Sequence, residues 1–84
     1  MSSSPFRVVV VDDHAPFRRA VRDLLLHRGC EVVGEAGCGR AARAVVERLR
    51  PDAVLLDVRL GAENGLDVAR ALLHQHPGLA VVLV

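Results

Sequence analysis

The stretch Val8–His14 reads VVVVDDH, a run of four β-branched residues that two carboxylates end at once. A continuous apolar run of this length is typical of a strand that is buried on both faces of a parallel sheet. A second run, Ala53–Leu56, is also followed directly by an aspartate, Asp57. The two runs therefore predict two buried strands whose carboxyl ends carry acidic side chains.

Apolar residues at helical spacing lie between and after these strands. They predict three helices: one from Pro16 to Gly29, one after Gly37–Gly39 that ends before Pro51, and one after Gly65 that ends before Pro77. The segments Glu31–Ala36 and Leu79–Val84 are predicted to be the second and fourth strands. The resulting order β-α-β-α-β-α-β predicts an α/β fold with a parallel sheet, and right-handed crossovers leave few ways to wind it.

Composition limits the class of protein. The chain has 84 residues and a formal net charge of +1, which predicts one small domain and no direct contact with nucleic acid. Cys30 and Cys38 do not form a disulfide framework, and no apolar stretch is long enough to span a bilayer. We expect a cytoplasmic protein without membrane contact, in which residues 1–6 form a disordered lead-in.

Asp12, Asp13 and Asp57 are predicted to converge on one spot. The carboxyl ends of parallel strands meet at one edge of the sheet, where neighbouring strands lie about 4.8 Å apart. If the winding reverses between the first and third strands, a ligand crevice opens there. Converging carboxylates favour a hard cation such as Mg²⁺, and a carboxylate can attack phosphorus to give an acyl phosphate. The alternative is that these aspartates have no functional role: Asp13 caps the first helix, and Asp57 is only a polar residue at the solvated end of a strand.

The chain resembles the receiver domain of two-component response regulators, the CheY-like family. The matching motifs are Val8–His14, Val54–Leu60 and Gly65, eight residues beyond Asp57. The segment Glu31–Ala36 is also similar to receivers of regulators with a helix-turn-helix output of the LuxR/NarL type. The resemblance extends from about Arg7 to Val84, and it implies a doubly wound, flavodoxin/CheY-like parallel sheet with strand order 2-1-3-4 and helices on both faces.

The resemblance also implies a function. Asp57 would accept a phosphoryl group from the phosphohistidine of a sensor histidine kinase. Mg²⁺ would be held by the carboxylates of Asp12, Asp13 and Asp57 and by the backbone carbonyl of Arg59. The chain would not be an enzyme, and an output domain outside it would regulate transcription.

Two features depart from the family pattern. Gly61 stands where the family usually has proline. The sequence also ends at Val84, before the family's fourth helix, fifth strand and fifth helix, and it contains neither Thr nor Lys. We therefore expect residues 1–84 to form a partial receiver with an apolar sheet edge and an uncovered sheet face beside the first helix. Such a chain is predicted to be marginally stable or to associate, as a homodimer or through the sheet edge.

Other interpretations remain open from sequence. The chain could be a degenerate receiver that acts only as a protein interaction module. Gly37, Gly39 and Ala42 fit a dinucleotide-binding G-x-G-x-x-A pattern, although Glu35 interrupts the preceding strand. A phosphatase with an aspartate nucleophile would need a second acid at Arg59. Six arginines of the first two predicted helices are interpreted as solvated: Arg18, Arg19, Arg22, Arg40, Arg43 and Arg50.

Overall fold

A computed structural model describes residues 5–84. The elements follow in the order β1 (Phe6–Val11), α1 (Ala15–His27), β2 (Cys30–Ala36), α2 (Gly39–Leu49), β3 (Ala53–Leu56), β4 (Arg59–Leu60), β5 (Glu63–Asn64), α3 (Gly65–Gln75) and β6 (Ala80–Leu83). Among these residues, no helix combines the length and the apolar character that crossing a bilayer requires.

The main sheet has four parallel strands in the order β2-β1-β3-β6. This order confirms the predicted 2-1-3-4 arrangement, with β6 as the fourth long strand. Because the chain passes from β1 to one side and later returns to β3 on the other side, the winding reverses between these two strands. The position at which such a reversal predicts a ligand crevice is therefore the carboxyl ends of β1 and β3.

Successive side chains along each strand point to opposite faces of the sheet, so the apolar core lies on both faces. Val9, Val11, Val54 and Leu56 belong to one buried cluster with residues of α2 and α3. The strand residues that alternate with these four point to the other face of the sheet. There, Leu25 of α1 lines an apolar groove beside them. The prediction of helices on both faces is thus confirmed, and within residues 5–84 α1 is the helix on this second face.

Helix α1 is only partly covered. The structure confirms its predicted span closely, but none of its residues is fully buried. Phe17 and Leu24 of the predicted apolar face are 41% and 59% exposed. The helical spacing was therefore correct, while the burial that such spacing usually indicates is incomplete.

Two predictions need correction. Phe6 does not belong to a disordered lead-in, because it begins β1 and pairs with Cys30 of β2. The first four residues of that predicted segment lie outside the described part of the chain. The loop expected before Gly65 contains a short antiparallel pair, β4 with β5, in which Arg59 faces Asn64 and Leu60 faces Glu63.

Candidate functional site

The three predicted aspartates come together at the carboxyl ends of β1 and β3. Asp12, Asp13 and Asp57 each offer a carboxylate oxygen, and these oxygens lie within 4.8 Å of one another. Parallel pairing places Val11 beside Leu56, so the residues that follow each strand are neighbours. The backbone N–H of Asp57 donates to the carbonyl of Val11 at 3.0 Å. Asp12 is buried, Asp57 is half-buried and Asp13 is exposed.

Asp12 is held by its backbone and by its side chain. Its N–H donates to the carbonyl of Ala36 at 3.0 Å, and its Oδ1 accepts from the N–H of His14 at 2.8 Å. His14 is the N-cap residue of α1 and provides no side-chain cap. The cap role considered for Asp13 is therefore absent from the described structure, and the Asp13 carboxylate belongs to the cluster.

Asp57 is oriented by the segment that follows it. Its Oδ1 accepts from the backbone N–H of Arg59 at 2.9 Å. Gly65 donates its N–H to the carbonyl of Val58 at 2.7 Å and packs against the same turn. The carboxylate of Asp57 thus has one oxygen fixed by the backbone, while the role of the Arg59 carbonyl as a metal ligand remains a prediction.

Gly61 occupies a turn that proline cannot form. It is the first of the two residues between β4 and β5, and its φ is +60°. A two-residue hairpin with positive φ only at the first position has the pattern of a type II′ turn, which favours glycine there. Proline fixes φ near −65°. The proline expected at residue 61 from the family resemblance could therefore not adopt the backbone observed here.

The same hairpin contacts the start of α2. The N–H of Gly39 donates to Oε1 of Glu63 at 2.8 Å. A Cβ atom at residue 39 would lie 2.6 Å from Oε2 of Glu63, so any other residue would require the Glu63 side chain to shift. This contact places a carboxylate at the positive end of the helix dipole.

The contact with Glu63 opposes the dinucleotide interpretation. A bound pyrophosphate would need the N-terminus of α2, where the carboxylate of Glu63 lies. The preceding strand, β2, is at the edge of the sheet and not at its centre. Gly37 lies in the turn between β2 and α2, Gly39 approaches Glu63, and Ala42 is buried in the core.

Sequence reasoning missed a set of contacts behind Asp12. Arg18 and Arg22 of α1, interpreted as solvated, both form ion pairs with Glu35 of β2. The signal in the sequence was Glu35, a charged residue next to the carboxyl end of β2.

The donor set of the aspartate cluster suits a hard divalent cation. All three candidate ligands are carboxylates, and oxygen ligands are those that Mg²⁺ prefers. None of the ion pairs formed within residues 5–84 involves Asp12, Asp13 or Asp57. The residues present therefore fit a bound cation, which would balance their negative charge.

Comparison with known proteins identifies the family. The family model described as the response regulator receiver domain matches residues 8–84 of the sequence, and the chain belongs to this family. It is 48% identical over 71 residues to the nitrate/nitrite response regulator protein NarP of Escherichia coli, covering 83% of this chain and 33% of NarP. The signal receiver domain of NarL from Mycobacterium tuberculosis has a TM-score of 0.84 and 40% identity, covering 96% of this chain and 66% of that one.

The region shared with this chain occurs in proteins of different kinds. The chain is 39% identical over 72 residues to a protein-glutamate methylesterase/protein-glutamine glutaminase of Alkalilimnicola ehrlichii, covering 84% of this chain and 18% of that protein. It therefore spans a third or less of the length of these two curated relatives, NarP and the methylesterase. The similarity to NarP and NarL confirms the resemblance to receivers of LuxR/NarL-type regulators.

Proposed function

We propose that this chain is the phospho-acceptor receiver module of a two-component response regulator, and that Asp57 accepts a phosphoryl group from the phosphohistidine of a sensor histidine kinase. The observation that carries the proposal is the convergence of the Asp12, Asp13 and Asp57 carboxylates within 4.8 Å. Membership of the receiver family supports the same assignment.

The chemical step is an attack by the Asp57 carboxylate on phosphorus. Oδ1 is engaged by the N–H of Arg59, which assigns Oδ2 as the nucleophile. As the new O–P bond forms, the N–P bond of the phosphohistidine breaks and its electron pair returns to the imidazole, which takes a proton from water. The product is an aspartyl phosphate, and the module acts as the acceptor and not as an independent enzyme.

Mg²⁺ is the cofactor in this proposal. The residues that would hold it are Asp12, Asp13 and Asp57 through their carboxylates and Arg59 through its backbone carbonyl. When bound, the cation supplies neutralising charge for the transferring phosphoryl group. The chain itself contributes the fixed position of Asp12, buried at 7% exposure, and the fixed rotation of Asp57.

The proposed output is a regulatory one. Phosphorylation shifts a two-state equilibrium of the domain, which a partner or an output domain then reads in the cytoplasm. The relation to NarP supports control of transcription through a domain outside this chain.

Intact-mass measurement tests the proposal. The chain is incubated with a small phosphodonor such as acetyl phosphate, with and without Mg²⁺. We expect a phosphate-sized gain in mass that requires Mg²⁺ and is lost in Asp57→Asn. Asp23→Asn, the same change at an exposed position of α1, serves as the control and keeps the gain. A gain that persists in Asp57→Asn contradicts the proposal, and no gain in the unmodified chain supports the degenerate interaction module instead.

A further inference from the structure

We propose that Arg18 is a positioning residue for the metal site, because its guanidinium fixes the backbone of Asp12. Nη1 of Arg18 donates to the backbone carbonyl of Asp12 at 2.5 Å. This inference rests on the proposed function, since it assigns a further residue to the same site. Arg18 would not touch the cation, and it would act through the ligand that it holds.

Arg18 is itself anchored by Glu35. Its Nε donates to Oε1 of Glu35 at 3.0 Å, and the two side chains are only 20% and 19% exposed. Arg22 pairs with the other carboxylate oxygen of Glu35. A guanidinium presents its donors in a rigid plane, so one side chain can bind two acceptors in a fixed geometry. Arg18 thereby connects α1, the end of β1 and the end of β2.

These contacts leave Asp12 constrained at three points. Its N–H donates to Ala36, its Oδ1 accepts from His14, and its carbonyl accepts from Arg18. Without Arg18, the carbonyl of Asp12 loses this hydrogen bond, so the backbone of Asp12 and the carboxylate that it carries can shift relative to Asp13 and Asp57. Groups that orient metal ligands typically change metal affinity by about 10–100-fold when they are removed.

The charge of Arg18 is balanced away from the cluster. A lone guanidinium beside the site would repel a divalent cation and weaken its binding. Glu35 supplies the opposite charge at 3.0 Å from Nε, so Arg18 can hold Asp12 with little electrostatic cost to cation binding. This arrangement gives a physical reason for the charge of Glu35 near the end of β2.

Titration calorimetry with Mg²⁺ tests the role of Arg18. The dissociation constant is measured for the unmodified chain, Arg18→Met and Arg19→Met, under conditions in which urea unfolding shows each variant to be folded. Arg19 is the control because it is adjacent, exposed and carries the same charge. We expect Arg18→Met to weaken Mg²⁺ binding about tenfold, and Arg19→Met to leave it unchanged. Arg18→Lys should recover little, since a single ammonium group does not reproduce the planar fork; full recovery by Lys overturns the positioning role.

The outcomes separate this inference from the proposed function. If the unmodified chain and Asp12→Asn bind Mg²⁺ equally, the metal site itself is wrong. If Asp12→Asn loses binding while Arg18→Met retains the original dissociation constant, the proposed function stands and the role of Arg18 is overturned. Should Arg18→Met fail to fold, Glu35→Gln decides: weaker Mg²⁺ binding supports the inference, and unchanged binding overturns it.

Discussion

Gly65 determines the position of the proposed acceptor by leaving space for it. A Cβ atom at residue 65 would lie 2.2 Å from the carbonyl oxygen of Asp57 and 2.8 Å from Cα of Val58. Both neighbours are backbone atoms, which cannot move aside by changing rotamer. The φ of Gly65 is not positive, so the requirement here is for room and not for a left-handed conformation.

We predict that Gly65→Ala lowers the free energy of unfolding by about 2–3 kcal/mol, because the added methyl group forces the backbone apart. It should also slow Mg²⁺-dependent phosphorylation by displacing Asp57. Urea unfolding and the phosphorylation rate are the measurements. Gly78→Ala is the control, since a Cβ atom added at residue 78 would have no atom within 4 Å. Equal unfolding midpoints for the two variants would contradict the packing argument.

The β4–β5 hairpin contains Gly61, which stands where the family resemblance predicts proline. It begins two residues after Asp57, turns at Gly61 and attaches to the N-terminus of α2 through Glu63. One short element therefore carries the proposed backbone ligand, the unusual turn and a contact with the neighbouring helix.

Restoring the family's residue at the turn should harm this chain. The φ of +60° at Gly61 is unavailable to proline, so Gly61→Pro is predicted to lower the free energy of unfolding by about 3 kcal/mol and to slow phosphorylation. Gly61→Asn is the control, because asparagine tolerates positive φ and should cost less. Urea unfolding checks both, and a proline variant as stable as the unmodified chain would show that the turn adopts another conformation.

The parts of the fold that the sequence could predict are those that depend on local apolar pattern. The predicted strand Ala53–Leu56 has its observed bounds, because a continuous apolar run ends at a carboxylate. The two-residue strands Arg59–Leu60 and Glu63–Asn64 are too short to have any periodicity. The convergence of the aspartates followed from their positions at the ends of parallel strands.

Contacts between charged residues distant in sequence could not be predicted. Arg18 has the same local context as Arg19, yet only Arg18 of this pair reaches Glu35 and Asp12 in these contacts. The difference depends on the rotation of α1 against β2, which no single segment specifies. For the same reason, the contact of Glu63 with Gly39 had no signal in the sequence.

At the scale of the whole molecule, one face of the sheet is incompletely covered. Phe6 and Val82 are 52% and 50% exposed beside the apolar groove that Leu25 lines. Within the described chain, β6 pairs only with β3, which leaves its other side as a sheet edge. An apolar face next to an open edge favours association.

We predict that the chain alone associates through this face. Sedimentation equilibrium should give a mass that rises with concentration above the 9.0 kDa of one chain. Val82→Arg should lower this mass by placing a charge on the face. Leu73→Arg is the control. Leu73 is an apolar residue about as exposed as Val82, but it lies on α3, on the opposite face of the sheet. A compact monomer that melts cooperatively would contradict the prediction.

The most direct test of the central claim is to locate the phosphoryl group. After incubation with a phosphodonor, borohydride reduces an aspartyl phosphate to homoserine, and fragment mass spectrometry identifies the modified residue. The account predicts homoserine at residue 57, formed only when Mg²⁺ is present during phosphorylation. Modification at Asp12 or Asp13 in place of Asp57, or modification at Asp57 that is independent of Mg²⁺, would contradict it.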